Sequence, residues 1–340
     1  MAPNLKLPEV MEFDLLLQQD LGKGTFFALS YLGGLGRRLP NFLNLNLDPT
    51  TVSTKTITIA GDPNGKGPLG ATGSTFTVPV YTKYGNTALF GSGAPNFGSI
   101  TEFTSNVNSN YNALVAEVVN RSLKKITFNA NYTWSHALDF SQNTNTQGTA
   151  NSWYDPFGNP RINYGNSNFN VPNRFVAYAL YNLPNIDNSN PLKWIVNGWS
   201  INDSFQMQNG LPFTAGSNSK PSGAIANGLN GSGGSSIIPQ IGYNTMRFPR
   251  RIVDDVRVQK EIAFEGGRNL QLMMNVFNLA NHQNITSYQA TYLYNLSGTT
   301  ATYTGQDGNG PKTFRVVNNS NSSAFLYTPR QIEISARINF

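Results

Sequence analysis

Strand-like segments recur along this chain, and most of them alternate apolar and polar side chains with a period of two. This pattern is typical of a strand with one apolar and one polar face. The C-terminal segment shows it most clearly, with Ile332, Ile334, Ala336, Ile338 and Phe340 on one parity and polar side chains on the other. The sequence predicts strands at 9–19, 24–33, 110–121, 125–135, 174–183, 194–208, 251–264, 268–279 and 331–340.

The connections between these segments alternate in length. Short connections lie at 20–23, 122–124, 184–193 and 265–267, and long ones at 34–109, 136–173, 209–250 and 280–330. In an up-and-down sheet this order places every short turn at one rim and every long loop at the other. Bacterial outer-membrane barrels have this layout, with short periplasmic turns and long extracellular loops. The predicted fold class is all-β: an antiparallel up-and-down transmembrane β-barrel segment of about nine strands.

Composition narrows the function classes. Only 12% of the residues are charged, the net charge is +6, and the basic residues are scattered, so nothing indicates a nucleic-acid interface. Cysteine is absent, and no apolar run approaches the roughly 18 residues of a membrane helix. The first residues show no secretory signal pattern. A soluble β-sandwich that binds carbohydrate stays open as an alternative, because sandwich strands alternate in the same way.

The predicted apolar faces carry charged residues at two positions, and the rest of these faces is compatible with contact to lipid. Lys260 interrupts the apolar face of 251–264 near a short turn, where a long side chain reaches the interface. Asp203 interrupts the face of 194–208, and the sequence gives no reason for it. Aromatic residues near strand ends predict an interface girdle, with two members at the loop end and two at the turn end: Tyr132, Trp134, Trp199 and Phe264.

The order of several segments resembles the Oar-like TonB-dependent outer-membrane receptors. The resemblance rests on YNALVAEVVNRSLKKITFNANYTWSHALD, NRFVAYALYNLP, NGWSINDSFQMQNGLPFT, LQLMMNVFNLANHQN and PRQIEISARINF. It covers most of the chain from Val10 onward, and His136 stands where a lysine is common in that family.

The resemblance implies a bacterial outer-membrane location and a barrel of the 22-stranded type, filled by an N-terminal plug. Residues 1–340 then correspond to the C-terminal part of the barrel, without plug, TonB box or signal peptide. The implied partners are outer-membrane lipid, the barrel assembly machinery, and TonB through the N-terminal regions that this chain lacks. The implied assembly signal is the C-terminal strand with Phe340, Ile338 and Ile334, so that loss of Phe340 is expected to impair assembly.

The sequence predicts no catalytic, metal or cofactor site. Asp254 and Asp255 are adjacent on a strand and point to opposite faces, so they do not form a carboxylate pair. Candidate ligand contacts lie in the loop that follows 125–135, where aromatic residues and an arginine stand among amides: Trp153, Tyr154, Phe157, Arg161 and Tyr164. Aromatic faces with amide donors suit a sugar or a peptide. The competing interpretation is that these aromatic side chains pack the loop onto its neighbours.

The predicted function is therefore a segment of a TonB-dependent receptor barrel that takes up or binds an unidentified ligand, such as an oligosaccharide or a peptide, and that does not function alone. A passive porin or an adhesin-like barrel is the alternative within the outer membrane.

Overall fold

The computed structural model describes residues 2–83, 100–121, 125–140, 153–187, 189–217, 237–289, 291–306, 312–320 and 328–340. Among the residues described, the helical elements are one short α-helix, α1 (Lys193–Val196), and two 3-10 turns at Pro160–Asn163 and Glu265–Gly267. No helix in these described ranges has the length and apolar composition needed to cross a membrane. The strands are β1 (Glu9–Gly22), β2 (Thr25–Asn44), β3 (Leu47–Ala60), β4 (Thr75–Lys83), β5 (Thr101–Asn120), β6 (Ile126–Asp139), β7 (Gly165–Asn166), β8 (Asn173–Asn182), β9 (Trp199–Gln208), β10 (Pro212–Phe213), β11 (Gly216–Ser217), β12 (Met246–Arg247), β13 (Arg251–Ala263), β14 (Asn269–Phe277), β15 (Ile285–Tyr288), β16 (Tyr292–Ser297), β17 (Thr300–Tyr303), β18 (Val317–Ser320) and β19 (Gln331–Asn339).

The largest sheet forms a wall in the order β1-β2-β5-β6-β8-β9-β13-β14-β19. Every neighbouring pair in this order is antiparallel, and β7 adds a short pairing to β6. These nine wall strands, counted over the described part of the chain, are the nine predicted from the sequence. Since consecutive wall strands run in opposite directions, the short connections lie at one rim and the long ones at the other, as predicted. We call these the turn rim and the loop rim; the predicted short turn at 122–124 lies outside the described residues.

The register places one apolar row of side chains from each wall strand on a common face. One cross-strand row runs through Leu15, Tyr31, Leu114 and Trp134, and another through Tyr181, Ile201, Val258, Met274 and Ile334. Many of these side chains are exposed, including Leu15 at 62% and Ile334 at 81%. The wall therefore presents a continuous uncovered apolar face, which we call the apolar face.

The opposite face of the wall, the polar face, carries hydrogen-bonded side-chain ladders. Arg257 Nε donates to Asn275 Oδ1 at 2.6 Å, and Asn275 Nδ2 donates to Glu333 Oε1 at 3.2 Å. These three residues are directly opposite one another on β13, β14 and β19. Charged groups that would be costly in lipid are thus gathered on the face that the sequence pattern assigns to water.

Over the described strands β9 and β13, three charged residues interrupt the apolar face. Asp203 pairs with Val256, and Asp254 pairs with Phe205, so the two aspartates are diagonal neighbours on this face. Oδ1 of Asp203 is buried and has no hydrogen-bond partner in the described part of the chain. Nothing in the structure explains Asp203. Lys260 is the third, and it lies opposite Trp199 near the turn rim, as its predicted interface position requires.

The segment 34–109 is not the simple loop that the sequence predicts. β2 continues to Asn44 and β5 begins at Thr101, so both wall strands extend beyond their predicted ends. The prediction stopped early because Gly33, Gly34 and Gly36 interrupt the alternation. Beyond this point the register also shifts twice, between Gly36 and Asn41, and the two strands no longer keep the strict two-face pattern.

The predicted strand at 194–208 begins later than expected, at Trp199, because residues 193–196 form α1. Gly198 has a φ of +77°, a conformation that favours glycine. A Cβ atom at this position would lie 2.2 Å from the carbonyl oxygen of Glu261. The local backbone therefore turns sharply between α1 and β9, and the apolar run of 194–196 is helical.

The long loops fold onto one another at the loop rim. β11, β16, β17, β3 and β4 form a five-stranded sheet, counted over the described residues, that joins three different loops. β17 pairs with β3 in parallel, with Thr300 opposite Thr58. This assembly, which we call the loop cap, contains the largest buried apolar cluster in the described ranges, with the members Ile57, Ile59, Val78, Val80, Tyr154, Phe213, Ala215, Ile237, Ile238, Tyr243, Leu293, Tyr294, Leu296, Ala301, Tyr303 and Phe314.

Candidate functional site

The predicted ligand-contact residues separate into two groups in the loop cap. Trp153 is 2% exposed and packs with Leu43 and Val107, while its ring lies 5.9 Å from that of Phe140. Tyr154 is 3% exposed and belongs to the loop-cap core. Both rings are therefore buried in packed clusters, which favours the competing interpretation for these two residues, and their part in ligand contact stays a prediction.

Asp155 organises the turn that follows these two aromatic residues, and the sequence prediction did not include it. Its carboxylate accepts hydrogen bonds from the backbone N–H of Gly158 at 3.1 Å and of Asn159 at 2.9 Å, and from the hydroxyl of Tyr81. Burial and the hydrogen bond to Asp155 raise the pKa of Tyr81 above its ordinary value. Asp155 therefore joins β4 to the loop 153–164, and Phe157 packs edge-on against Tyr81 at 6.4 Å.

Arg161 and Tyr164 line a cleft of about 520 Å3 at the loop rim. The other lining residues are Arg37, Asn108, Asn110 and Phe140. Nδ2 of Asn110 donates to the hydroxyl of Tyr164 at 2.7 Å, and the Tyr164 ring lies 4.8 Å from the Phe140 ring. Two guanidinium groups, two amides and two aromatic rings thus surround one opening.

Asparagine side chains fix the positions of the loops around this cleft. Asn166 Nδ2 donates to the backbone oxygen of Asn244 at 2.9 Å, and Asn244 Nδ2 donates to that of Asn166 at 2.8 Å. Arg247 donates to the backbone oxygens of Asn170 at 2.8 Å and Gly210 at 3.2 Å. Burial lowers the pKa of Arg247. The Arg247–Gly210 bond spans 37 positions and the other contacts span 77 or 78, so no local pattern in the sequence predicts them.

The remaining predicted residues lie on the wall. Tyr132 and Trp134 are 43% and 60% exposed at the loop end of the apolar face, and Phe264 is 50% exposed at the turn rim. Trp199 is partly covered, since its Nε1 donates to the backbone oxygen of Ile195 at 2.7 Å. Phe340, Ile338 and Ile334 are 96%, 58% and 81% exposed. The C-terminal strand is therefore accessible, and its role as an assembly signal stays a prediction.

The wall, its uncovered apolar face and the gathering of all long loops at one rim define a membrane-spanning β-sheet of the outer-membrane type. Residues 1–332 match the family model described as "Outer membrane beta barrel domain". The chain belongs to this family, and its location is the bacterial outer membrane. In such a barrel the apolar face meets lipid and the polar face lines the interior.

Solved structures of outer-membrane proteins are similar to this chain at low identity. FpvA of P. aeruginosa, in a complex with an iron-loaded pyoverdine, is 11% identical, with a TM-score of 0.42 and coverage of 98% of this chain and 27% of FpvA. The outer membrane transporter YddB from Escherichia coli is 12% identical, with a TM-score of 0.42 and coverage of 88% of this chain and 31% of YddB. The chain thus spans about a third or less of the length of these proteins. No curated protein matches the chain.

Proposed function

We propose that this chain supplies the C-terminal wall and outer loops of a receptor that binds an oligosaccharide or peptide and takes it up by a TonB-dependent route. The loop cap carries the proposal. Its own buried core and cross-loop hydrogen bonds hold binding side chains at fixed positions, which ligand recognition requires. Passive diffusion of small solutes has no such requirement, so the cap favours a receptor over a porin.

The cleft at Arg161 and Tyr164 is the proposed first contact for the ligand. Guanidinium groups bind carboxylates with two parallel hydrogen bonds, and aromatic rings with amide donors suit sugar rings or peptide bonds. Arg37 and Arg161 stand at the same opening as Phe140 and Tyr164. A ligand with an acidic group beside a sugar ring or a peptide bond matches this set best.

The proposed TonB-dependent uptake and the assembly of the barrel both involve components other than this chain. Within the described residues β1 and β19 form the two open edges of the wall, and an open edge in lipid leaves backbone groups unpaired. We therefore expect further strands to close the barrel. The proposed TonB-dependent route also calls for an N-terminal plug that contacts TonB. The barrel assembly machinery would read the C-terminal strand with Phe340. The proposal assigns this chain no catalytic step.

An array of acidic and neutral oligosaccharides and short peptides tests the proposal. We expect the complete barrel that contains this chain, reconstituted in lipid nanodiscs, to retain acidic members of the array. Arg161→Gln should weaken this retention about tenfold or more, because a hydrogen bond to a charged group contributes about 1.5–3 kcal/mol. The matched control is Arg330→Gln, an exposed arginine at the loop rim outside the cleft. Failure to retain any array member, or equal retention by Arg161→Gln, would contradict the proposal.

A further inference from the structure

The connection between β8 and β9 is a folded platform at the turn rim. Asn197 Oδ1 accepts from the backbone N–H of Ile186 at 2.7 Å, and Asn197 Nδ2 donates to the oxygen of Ile186 at 3.0 Å. The backbone N–H of Gly198 donates to Asn185 Oδ1 at 3.0 Å. These bonds close the connection across its base and hold α1 in place.

Lys260 attaches this platform to the apolar face of the wall. The side chain is only 7% exposed, and its ammonium donates to the backbone oxygens of Asn197 and of Ile195, the latter at 3.3 Å. It also lies 5.5 Å from the centre of the Trp199 ring. Since Lys260 and Trp199 both belong to the apolar face, α1 lies on the side of the wall that meets lipid.

The platform presents an apolar edge to its surroundings. Leu192, Trp194 and Ile195 are 55%, 58% and 68% exposed. Trp194 of this edge lines the same cleft as Trp199 and Lys260 of the apolar face, so the edge adjoins that face. An exposed tryptophan and aliphatic side chains at the end of a membrane-spanning wall are the residues that prefer the boundary between acyl chains and headgroups.

Positive charge stands directly beside this edge. The ammonium of Lys193 lies 5.5 Å from the centre of the Trp194 ring. Lys193, Trp194, Trp199 and Lys260 line a cleft of about 610 Å3. Glu261 also borders the cleft, but its carboxylate accepts a hydrogen bond from Asn269 at 2.9 Å on the polar face of the wall. On the apolar side of the cleft Lys193 therefore lies beside Trp194, while the ammonium of Lys260 already donates to backbone oxygens.

We propose that this cleft binds the phosphate headgroup of a glycerophospholipid in the inner, periplasmic leaflet. Lys193 contacts the phosphate, Trp194 lies at the level of the glycerol backbone, and Leu192 and Ile195 contact the acyl chains. The inner leaflet follows from the layout of the wall, because the short connections lie at the periplasmic rim. The site goes beyond ligand uptake and depends only on the orientation of the wall in the membrane.

Native mass spectrometry of the complete barrel that contains this chain, released from nanodiscs, tests this site. With equal amounts of phosphatidylglycerol and diacylglycerol present, we expect the unmodified chain to retain phosphatidylglycerol. Lys193→Gln should reduce the retained phospholipid about fivefold, the contribution of one basic residue near an anionic surface. Lys193→Arg should restore it, since the charge and not the ammonium shape is required. Lys66→Gln, at the loop rim, is the matched control and should leave retention unchanged.

Three results would overturn the site. The first is equal phospholipid retention by Lys193→Gln and Lys66→Gln. The second is equal retention of phosphatidylglycerol and diacylglycerol by the unmodified chain. This comparison uses no variant, so it does not depend on whether a variant folds. The third is displacement of the lipid by millimolar inorganic phosphate, which would show a general anion site and not a lipid site.

Discussion

Met274→Arg is expected to prevent stable insertion of the wall into lipid, whereas Met273→Arg leaves it nearly unchanged. Met274 lies in the apolar row between Val258 and Ile334 and is 41% exposed on the face that meets acyl chains. A charged side chain at the lipid midplane of a barrel costs about 2–4 kcal/mol. That cost is a large fraction of the stability of an ordinary domain.

The adjacent methionine provides the control. Met273 lies between Gln259 and Ser335 on the polar face, so an arginine there stays in water. Urea titration of both variants in lipid vesicles, followed by the heat-dependent shift in gel mobility, gives the difference in unfolding free energy. Equal losses in the two variants would show that the faces are not divided between lipid and water.

Tyr294→Ala is expected to unfold the loop cap while the wall stays folded. Tyr294 is 1% exposed in the loop-cap core, its ring lies 5.5 Å from that of Tyr303, and its hydroxyl accepts from the backbone N–H of Leu69 at 3.3 Å. Burial raises the pKa of Tyr294 to about 12. Removing a buried aromatic side chain lowers the free energy of unfolding by about 3–5 kcal/mol. The loop cap lies outside the lipid, so no lipid contact offsets this loss.

Limited proteolysis at the loop rim measures unfolding of the loop cap. The heat-dependent shift in gel mobility reports whether the wall is still folded. Tyr178→Ala is the matched control, because Tyr178 is 50% exposed on the polar face of the wall. We expect rapid cleavage of the loops in Tyr294→Ala and slow cleavage in Tyr178→Ala. Loss of the wall together with the cap in Tyr294→Ala would mean that the two fold as one unit.

The wall was predictable from the sequence because lipid on one side and water on the other impose a strict alternation. The segment 331–340 illustrates this, since a shift of one residue would move Glu333 and Arg337 into lipid. The segment 174–183 is apolar on both parities, so its sequence does not predict which side chains face lipid. The register decides this, because Phe175 pairs with Met207 and therefore lies on the apolar face.

The loop cap was not predictable in the same way. Its sheet pairs β17 with β3 in parallel across more than two hundred residues, and such pairing leaves no local signal. Trp153 and Tyr154 illustrate the consequence, because an aromatic residue in a loop has the same local sequence whether it binds a ligand or fills a core. Asp155 accepts from the hydroxyl of Tyr81 and Asn244 donates to the backbone oxygen of Asn166, and both partners are more than seventy residues away and meet only in the folded structure.

The platform at the turn rim was missed for a different reason. Residues 194–196 are apolar and continue directly into a strand, so the sequence favoured one long strand. The short helix depends on the positive φ of Gly198 and on carbonyl contacts to Lys260, which is more than sixty residues away. Lys260 lies near the turn rim, as the sequence predicts, but its bonding to the backbone at α1 required the structure.

Cysteine scanning along β14 in lipid vesicles tests the central claim most directly, because the chain contains no native cysteine. A spin label would be placed in turn at each position from 270 to 276, and its collision rates with oxygen and with a water-soluble nickel complex would be compared. We expect high oxygen accessibility at Leu270, Leu272, Met274 and Val276, and high nickel accessibility at the positions between them. Uniform accessibility along the strand, or the opposite phase, would contradict an apolar face that meets lipid.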